Sequence, residues 1–344
     1  MSLRIELLTP EKETAWDSFV ERCPEATLFH KPGWIRVIKR TFGHPTYFVA
    51  ALNGNHIEGV LPLVHVRSRL FGNALISNAF CVAGGPAAAT REARDALTRH
   101  AGRLLDETGA DYVEFRDSPA PIDGWTRRAD LYATFSRPIE GEADANLKQI
   151  PRKQRAVVRK ALDDERLAWR IDNDPERFYR LFALSLRNHG TPVLPRRYFT
   201  ALLDTFGAAV EILTVTAAGS PVSSVLSFKF RDAILPYYTG STAEARLLGA
   251  NDYMYWQVMR RAVEEGARVF DFGRSRVGTG AYRFKKNWGF EPRPVASDYL
   301  LRNGAELPNL NPQNPKYARF VQVWQRLPLP VANLLGPMIV RNIG

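Results

Sequence analysis

Runs rich in β-branched and aromatic residues, separated by glycine-containing turns, predict two hairpins far apart in the chain, Tyr47–Leu52 with Gly59–Val66 and Val210–Ala217 with Val222–Phe230. A third strand follows the second hairpin over Ala233–Thr239. Helical periodicity appears near Glu92–Thr108, where Leu97, Ala101, Leu104 and Leu105 share one face, and near Asn251–Glu265, where Met254, Val258 and Ala262 fall at successive i+4 steps. Further helices are predicted from Pro151, over Arg177–Arg187 and over Arg197–Phe206. Asn303 to Lys316, rich in Asn and Pro, reads as loop.

The two sets of elements are also related in sequence. Gly109-Ala-Asp-Tyr-Val-Glu-Phe-Arg-Asp-Ser118 recurs as Gly266-Ala-Arg-Val-Phe-Asp-Phe-Gly-Arg-Ser275 at an offset of 157, with Glu114 on Asp271. Ala51–Val64 aligns with Thr216–Lys229 at an offset of 165, placing Gly54 on Gly219. The same elements in the same order predict a duplicated α/β unit. The polar joint Pro138-Ile-Glu-Gly-Glu-Ala-Asp places the expected boundaries at 1–137, 138–302 and a tail at 303–344.

Composition sharpens this picture only modestly. The chain has 344 residues, 45% hydrophobic and 24% charged, which excludes disorder as its main state. Two cysteines, Cys23 and Cys81, cannot build a disulfide framework and point to a reducing compartment. The longest mostly apolar run, Leu327–Val340, is interrupted by three prolines and is too short to span a membrane. The first residues lack the basic head and apolar stretch of a secretory signal, so a cytosolic protein is expected. The tail, through Val321, Trp324 and Leu327 with Arg326 and Arg341 nearby, either packs on the first domain or rests on the inner face of a membrane. With 47 Lys+Arg against 36 Asp+Glu, the net charge of +11 favours an anionic partner.

That charge is concentrated in two places. Lys148–Lys160 holds six basic and no acidic residues, and Arg152, Arg155 and Arg159 lie on one helical face, suited to a chain of phosphates. A solvated charged helix balanced by Asp163, Asp164 and Glu165 is the other reading. The second place follows Asp271, where a loop with Gly273, Gly278 and Gly280 leads to Tyr282, Arg283, Phe284, Lys285, Lys286 and Trp288. Glycines let backbone approach a ligand, and a lysine can stabilise an oxyanion; an aromatic edge strand after a turn is the structural alternative. Thr279-Gly280 stands where a Walker A loop requires Lys-Ser/Thr. Arg246-Leu-Leu-Gly249-Ala250 opens a helix whose amides suit a pyrophosphate such as that of coenzyme A. The six histidines have no metal-ligand spacing, so no metal is expected.

Order and motifs together resemble the FemAB/FemX family, transferases made of two GNAT-like domains. The segments that carry the resemblance are His30-Lys-Pro-Gly-Trp34, Pro151–Lys160, Tyr237-Tyr-Thr-Gly-Ser241 and Tyr282–Phe290. With His189-Gly-Thr-Pro-Val and the closing Leu-Pro-Leu-Pro-Val-Ala-Asn-Leu-Leu-Gly-Pro, they look most like the FemAB-related branch associated with PEP-CTERM/exosortase and exopolysaccharide systems. The resemblance implies two tandem GNAT-like domains with mixed central sheets flanked by helices. It also implies transfer of an acyl or aminoacyl group, from acyl-CoA or aminoacyl-tRNA, to an amine on a phosphate-bearing or lipid-linked glycan precursor. Phe284 and Lys285 match the family's Phe-Lys pair; Lys31 and Trp34 would lie near the acceptor, Arg152 or Arg155 near its diphosphate, and Tyr238, Tyr282 and Arg283 along the cleft. Asp271, at the strand end equivalent to that of Glu114, is either a catalytic acid or a structural one. Arg246, Gly249 and Ala250 would receive a nucleotide donor. The chain lacks the long helical arm some members use for tRNA.

An ammonium at Lys285 facing the tetrahedral intermediate would contribute roughly 3–4 kcal/mol. Lys285→Ala is then expected to abolish transfer and leave folding intact. Two other functions remain open: an acyl-CoA-dependent N-acetyltransferase acting on a small amine, and a noncatalytic module that binds nucleic acid or phospholipid through the basic helix.

Overall fold

The computed structural model describes residues 3–68, 72–307 and 315–344. In chain order the first half contains β1 (Arg4–Leu7), α1 (Glu13–Arg22), α2 (Gly33–Thr41), β2 (Thr46–Asn53), β3 (His56–Ser68), β4 (Gly72–Ser77), β5 (Ala87–Ala88), α3 (Arg91–Thr108), β6 (Tyr112–Arg116) and β7 (Thr126–Pro138). There follow α4 (Ala143–Gln149), α5 (Arg152–Leu162), β8 (Leu167–Ile171), α6 (Pro175–His189), α7 (Arg196–Phe206), β9 (Val210–Ala217), β10 (Ser220–Phe230) and β11 (Ala233–Ser241). The chain closes with α8 (Ala243–Leu247), α9 (Ala250–Glu264), β12 (Val269–Arg276), α10 (Gly280–Asn287), β13 (Arg293–Leu301), α11 (Pro315–Arg326) and α12 (Leu329–Val340).

Two compact units result: Met1–Leu131 with Val295–Leu310 and Val340–Gly344, and Tyr132–Pro294 with Asn311–Ile339. Strands of the first run β1-β2-β3-β4-β6-β13, and those of the second β8-β9-β10-β11-β12-β7. Along each path all neighbours are antiparallel except one pair, β4 with β6 in the first unit and β11 with β12 in the second. The sequence repeats fall on equivalent strands, β6 with β12 and the hairpins β2–β3 with β9–β10.

The last place in each sheet is filled out of sequence order. β7 follows β6 in the chain, yet residues 132–138 pair with β12; β13 follows β12, yet it pairs with β6 through Tyr112–Arg116. The division between units therefore falls inside β7, between residues 131 and 132, where the sequence pattern placed it after 137. Residues 295–310 belong to the first unit, where the pattern ended the second domain at 302. Strand pairing at such separation leaves no short-range signal.

The helical faces read from the sequence pack as expected. In the first unit Leu97, Ala101, Leu104 and Leu105 of α3 join Val49, Leu61 and Leu63 in one core. In the second, Met254, Val258 and Ala262 of α9 join Val215, Val225, Ile234 and Phe270. Alternate residues of β11 point to opposite faces of the sheet. Tyr238 packs on Phe182 of α6 and Phe199 of α7, whereas Thr239 Oγ1 meets the Tyr255 hydroxyl of α9 at 2.8 Å.

Of the two expected places for the tail, packing on the first domain is not the one that α11 and α12 take. Val321 lies against Gly190, Arg187 donates to the Gln325 carbonyl at 3.1 Å, and Gly336 abuts Val193, so α11 and α12 pack on the second unit. Only the last five residues cluster with the first unit, where His44 Nε2 donates to the Arg341 carbonyl at 2.8 Å. Of the expected loop at 303–316, residues 308–314 lie outside the described residues and α11 already begins at Pro315.

Candidate active site

In the second unit the parallel strands β11 and β12 share only two register pairs, Ala233 with Val269 and Ile234 with Phe270. Within three residues each strand bulges, β11 at Tyr237 in its pairing with β10 and β12 at Phe272 in its pairing with β7. Bulges bend strands and re-aim side chains, here at the level where the two strands cease to pair. The carboxyl ends of parted parallel strands are where open α/β sheets take ligands.

The first unit has the same strands but seals them. Past the shared register of β4 and β6, the Arg116 amide donates to Ser77 Oγ at 2.8 Å and Gly85 N donates to the Arg116 carbonyl at 3.1 Å. The buried Arg116 guanidinium pairs with Glu114 at 3.2 Å and donates to the Cys81 carbonyl at 3.0 Å. At the offset of 157, Arg116 corresponds to Gly273. A Cβ at Gly273 would meet nothing within 4 Å, whereas the Arg116 side chain is buried against Glu114 and the Cys81 carbonyl.

Gly273 adopts φ +67°, a conformation glycine takes without steric cost, and this turns consecutive carbonyls of β12 toward one point. Lys285 Nζ occupies that point, donating to the carbonyls of Phe272 at 2.6 Å, Gly273 at 3.1 Å and Arg274 at 3.3 Å. Asp271 Oδ1 accepts from the Gly273 amide at 2.7 Å, completing the turn. Burial pushes the Lys285 ammonium down to about 8, and the Asp271 carboxylate works against that shift. With three N–H donors on three carbonyls, the ammonium holds the bulge in shape instead of facing a substrate oxyanion.

The residues around Lys285 form a helix, α10, where the sequence suggested loop or edge strand. Thr279 caps it by accepting from the Tyr282 amide at 3.3 Å. Phe284 packs half-buried against Tyr255 and Trp288, Tyr282 meets Phe135 edge-on at 5.2 Å, and exposed Arg283 donates to the Gly278 carbonyl at 2.8 Å. Tyr255, which the sequence did not single out, is pushed up to about 12 by burial and keeps its hydroxyl proton at neutral pH beside the parting strands.

The helix start expected to bind pyrophosphate is closed. Gly249 caps α9 at φ +67°, and a Cβ there would lie 3.2 Å from Val157 Cγ1 and 3.5 Å from Ala161 Cβ of α5. Ala250 is fully buried, while Arg246 stands exposed on α8. The first turn of α9 carries its own anion. Asp252 accepts from Trp288 Nε1 at 2.8 Å and from Gln154 Nε2 on α5, and burial raises its carboxyl above the usual range. One carboxylate thus ties α5, α9 and the end of α10 together. Asp252→Ala should cost about 2 kcal/mol in chemical denaturation by stranding two donors, whereas Asp252→Asn, which keeps the accepting oxygen, should fall within about 1 kcal/mol of wild type. Equal losses in both variants would argue against this linkage.

On its outer face α5 lines an open concavity of about 480 Å³ with Arg152, Arg155, Ala156, Arg159, Lys160 and Asp163. Arg155 donates to the Lys148 carbonyl at 2.8 Å; Arg152, Arg159 and Lys160 make no ion pair among the described residues. Such a face suits phosphate, not a reacting carbonyl. The start of α5 lies against the chain just past α10, since a Cβ at Gly289 would lie 3.0 Å from Pro151 Cδ.

Three expected contacts take other places. Trp34 is fully buried, its Nε1 donating to the Leu28 carbonyl at 3.0 Å, and belongs to the core of the first unit instead of an acceptor site. Lys31 pairs with Asp17 at 3.0 Å and with Glu21. Tyr238 turns toward α6 and α7, where its hydroxyl lies 3.0 Å from that of Tyr198. Among the described residues no group of three or more His, Cys, Asp or Glu is placed to hold a metal ion, and no helix is long and apolar enough to cross a membrane.

The segment 148–286, from the end of α4 into α10, matches the family model described as an acetyltransferase (GNAT) domain. No curated protein matches the sequence. Among solved structures, FemX is similar at 18% identity with a TM-score of 0.70, over 87% of this chain and 98% of that one. The C-terminal domain of a putative lysylphosphatidylglycerol synthetase from Agrobacterium fabrum is similar at 12% identity and a TM-score of 0.57, over 86% and 93% of the two chains. A tandem GNAT protein from the clavulanic acid biosynthesis pathway gives 12% identity and 0.56, over 87% and 98%. At these identities the likeness concerns architecture, and the fold of this chain is α/β, with two tandem GNAT-like units built on mixed sheets flanked by helices.

Proposed function

We propose that this chain is an acyl or aminoacyl transferase that works in its second unit, where β11 and β12 part, on an amine-bearing acceptor that carries phosphate. The observation that carries the reading is the contrast at equivalent positions between Gly273, where a Cβ would meet nothing within 4 Å, and Arg116, whose side chain is buried against Glu114 and the Cys81 carbonyl. An acceptor amine attacks the donor's carbonyl, a C–N bond forms, the tetrahedral oxyanion collapses and the ester or thioester bond breaks. Alignment of two bound substrates supplies much of the rate. Lys285 acts as a positioning residue that keeps the β12 carbonyls and the bulge in place, with Asp271 bracing the same turn. Phe284 and Tyr282 wall the site, and Arg152, Arg159 and Lys160 receive phosphate.

Closure of the α9 start by Val157, Ala161 and Asp252 disfavours a coenzyme A pyrophosphate there and favours an aminoacyl ester of RNA as donor. The GNAT family match favours acyl-CoA as the second reading. A role in exopolysaccharide or cell-envelope assembly, with a lipid-linked glycan as acceptor, rests on the sequence resemblance alone.

A thermal-shift and donor-consumption assay with aminoacyl-tRNA and with acyl-CoA separates the two. Stabilisation and deacylation with aminoacyl-tRNA are expected; turnover of acyl-CoA alone would overturn the choice of donor, and no response to either would overturn the transferase reading. Arg152→Glu with Arg159→Glu should raise KM for the phosphate-bearing substrate at least about tenfold and leave Tm unchanged, since both side chains are exposed.

A further inference from the structure

Helix α12 is turned inside out for a helix bathed in water. Its small residues Ala332 and Gly336 face the protein, and a Cβ on Gly336 would lie 2.8 Å from the Val193 amide nitrogen, so the helix backbone lies directly on the second unit. Its large apolar residues, Val331, Leu334, Leu335 and Met338, fall at i, i+3, i+4 and i+7 and are 39%, 69%, 38% and 63% exposed. Phe320 and Val323 of α11 are exposed as well, at 39% and 62%, while Trp324 is buried and Val321 lies against Gly190. Val321 and Trp324, two of the three residues that helical spacing put forward as membrane anchors, thus face inward, and their neighbours face out.

No charged residue occurs between Arg326 and Arg341, and arginines stand at both ends of this stretch. We propose that α12 lies flat in the headgroup region of an anionic lipid surface, with Leu334 and Met338 as its inserted anchors and Arg326 on lipid phosphate. At 12 residues the helix is roughly 18 Å long, enough to lie in the interface and too short to cross the hydrocarbon core. A lipid surface suits the stripe better than a second copy does, because two copies would each bring a net charge of +11 and Arg326 to the shared face. This inference is independent of the transferase reading.

Sedimentation of the full chain with phosphatidylglycerol-containing vesicles and with pure phosphatidylcholine vesicles tests it. Wild type should partition at least about tenfold more strongly onto the anionic vesicles, and Leu334→Asp with Met338→Asp should lose at least about tenfold of that binding while melting as wild type does. Failure of wild type to bind anionic vesicles would overturn the proposal. So would undiminished binding by the variant, which would shift the contact to another basic face such as α5, or a wild-type dimer that the variant disperses without any vesicle binding.

Discussion

Gly240→Ala should destabilise the second unit by about 3 kcal/mol, the upper end of the overpacking range, and lower its Tm by several degrees. Gly240 sits on β11 where α6 crosses, and a Cβ there would overlap the backbone of Leu181 and Phe182. Backbone cannot swing aside as a side-chain tip can, so α6 must lift, and the aromatic packing of Phe178, Phe182 and Phe199 with Tyr238 goes with it. Since β11 is one wall of the proposed site, activity should fall with stability. A variant that melts within a degree of wild type would mean that α6 does not rest on β11 at this point.

Lys285→Met should act on both stability and transfer, unlike the purely catalytic loss expected from the sequence. It removes the donor shared by three carbonyls at the β12 bulge, at a cost of about 2 kcal/mol, and should reduce transfer roughly a hundredfold by letting the bulge relax. The pH dependence separates this from simple loss of packing. The native-state value of about 8 lies below the usual lysine value of 10.5. Below pH 8 native and unfolded chains both hold the proton, and the native state bears the full cost of the buried charge. Between the two values the unfolded chain keeps a proton that the native chain has released, so stability rises with pH. The difference between wild type and Lys285→Met in denaturant titrations should therefore grow by roughly 3 kcal/mol from pH 8 to 10.5. A flat or falling difference would contradict the burial of the ammonium.

The hairpins, α3, α9 and the duplication were visible in the sequence because each depends on local periodicity or on a short repeated motif. That repeat also aligned the buried Arg116 with Gly273, although the meaning of the pair needs both strands in place. Three features lay beyond local pattern. Exchange of β7 and β13 depends on pairings between distant strands. Closure of the α9 start depends on Val157 and Ala161, which fall about 90 residues before the glycine they cover. Helical spacing shows that Val321, Trp324 and Leu327 recur along a helix, but not which face of it meets the protein. Trp34 shows the same limit, since a tryptophan beside Pro-Gly looks alike in sequence whether it lines a cleft or fills a core.

Hydrogen–deuterium exchange with an amide-linked aminoacyl minihelix RNA and with acetyl-CoA as probes reads out whether substrates enter between β11 and β12 of the second unit. Slowed exchange confined to 235–241 and 271–276 on adding the RNA probe is the predicted result. Slowed exchange at 74–86 and 112–116 of the first unit, or at 246–252 with acetyl-CoA and none at 235–241, would contradict it.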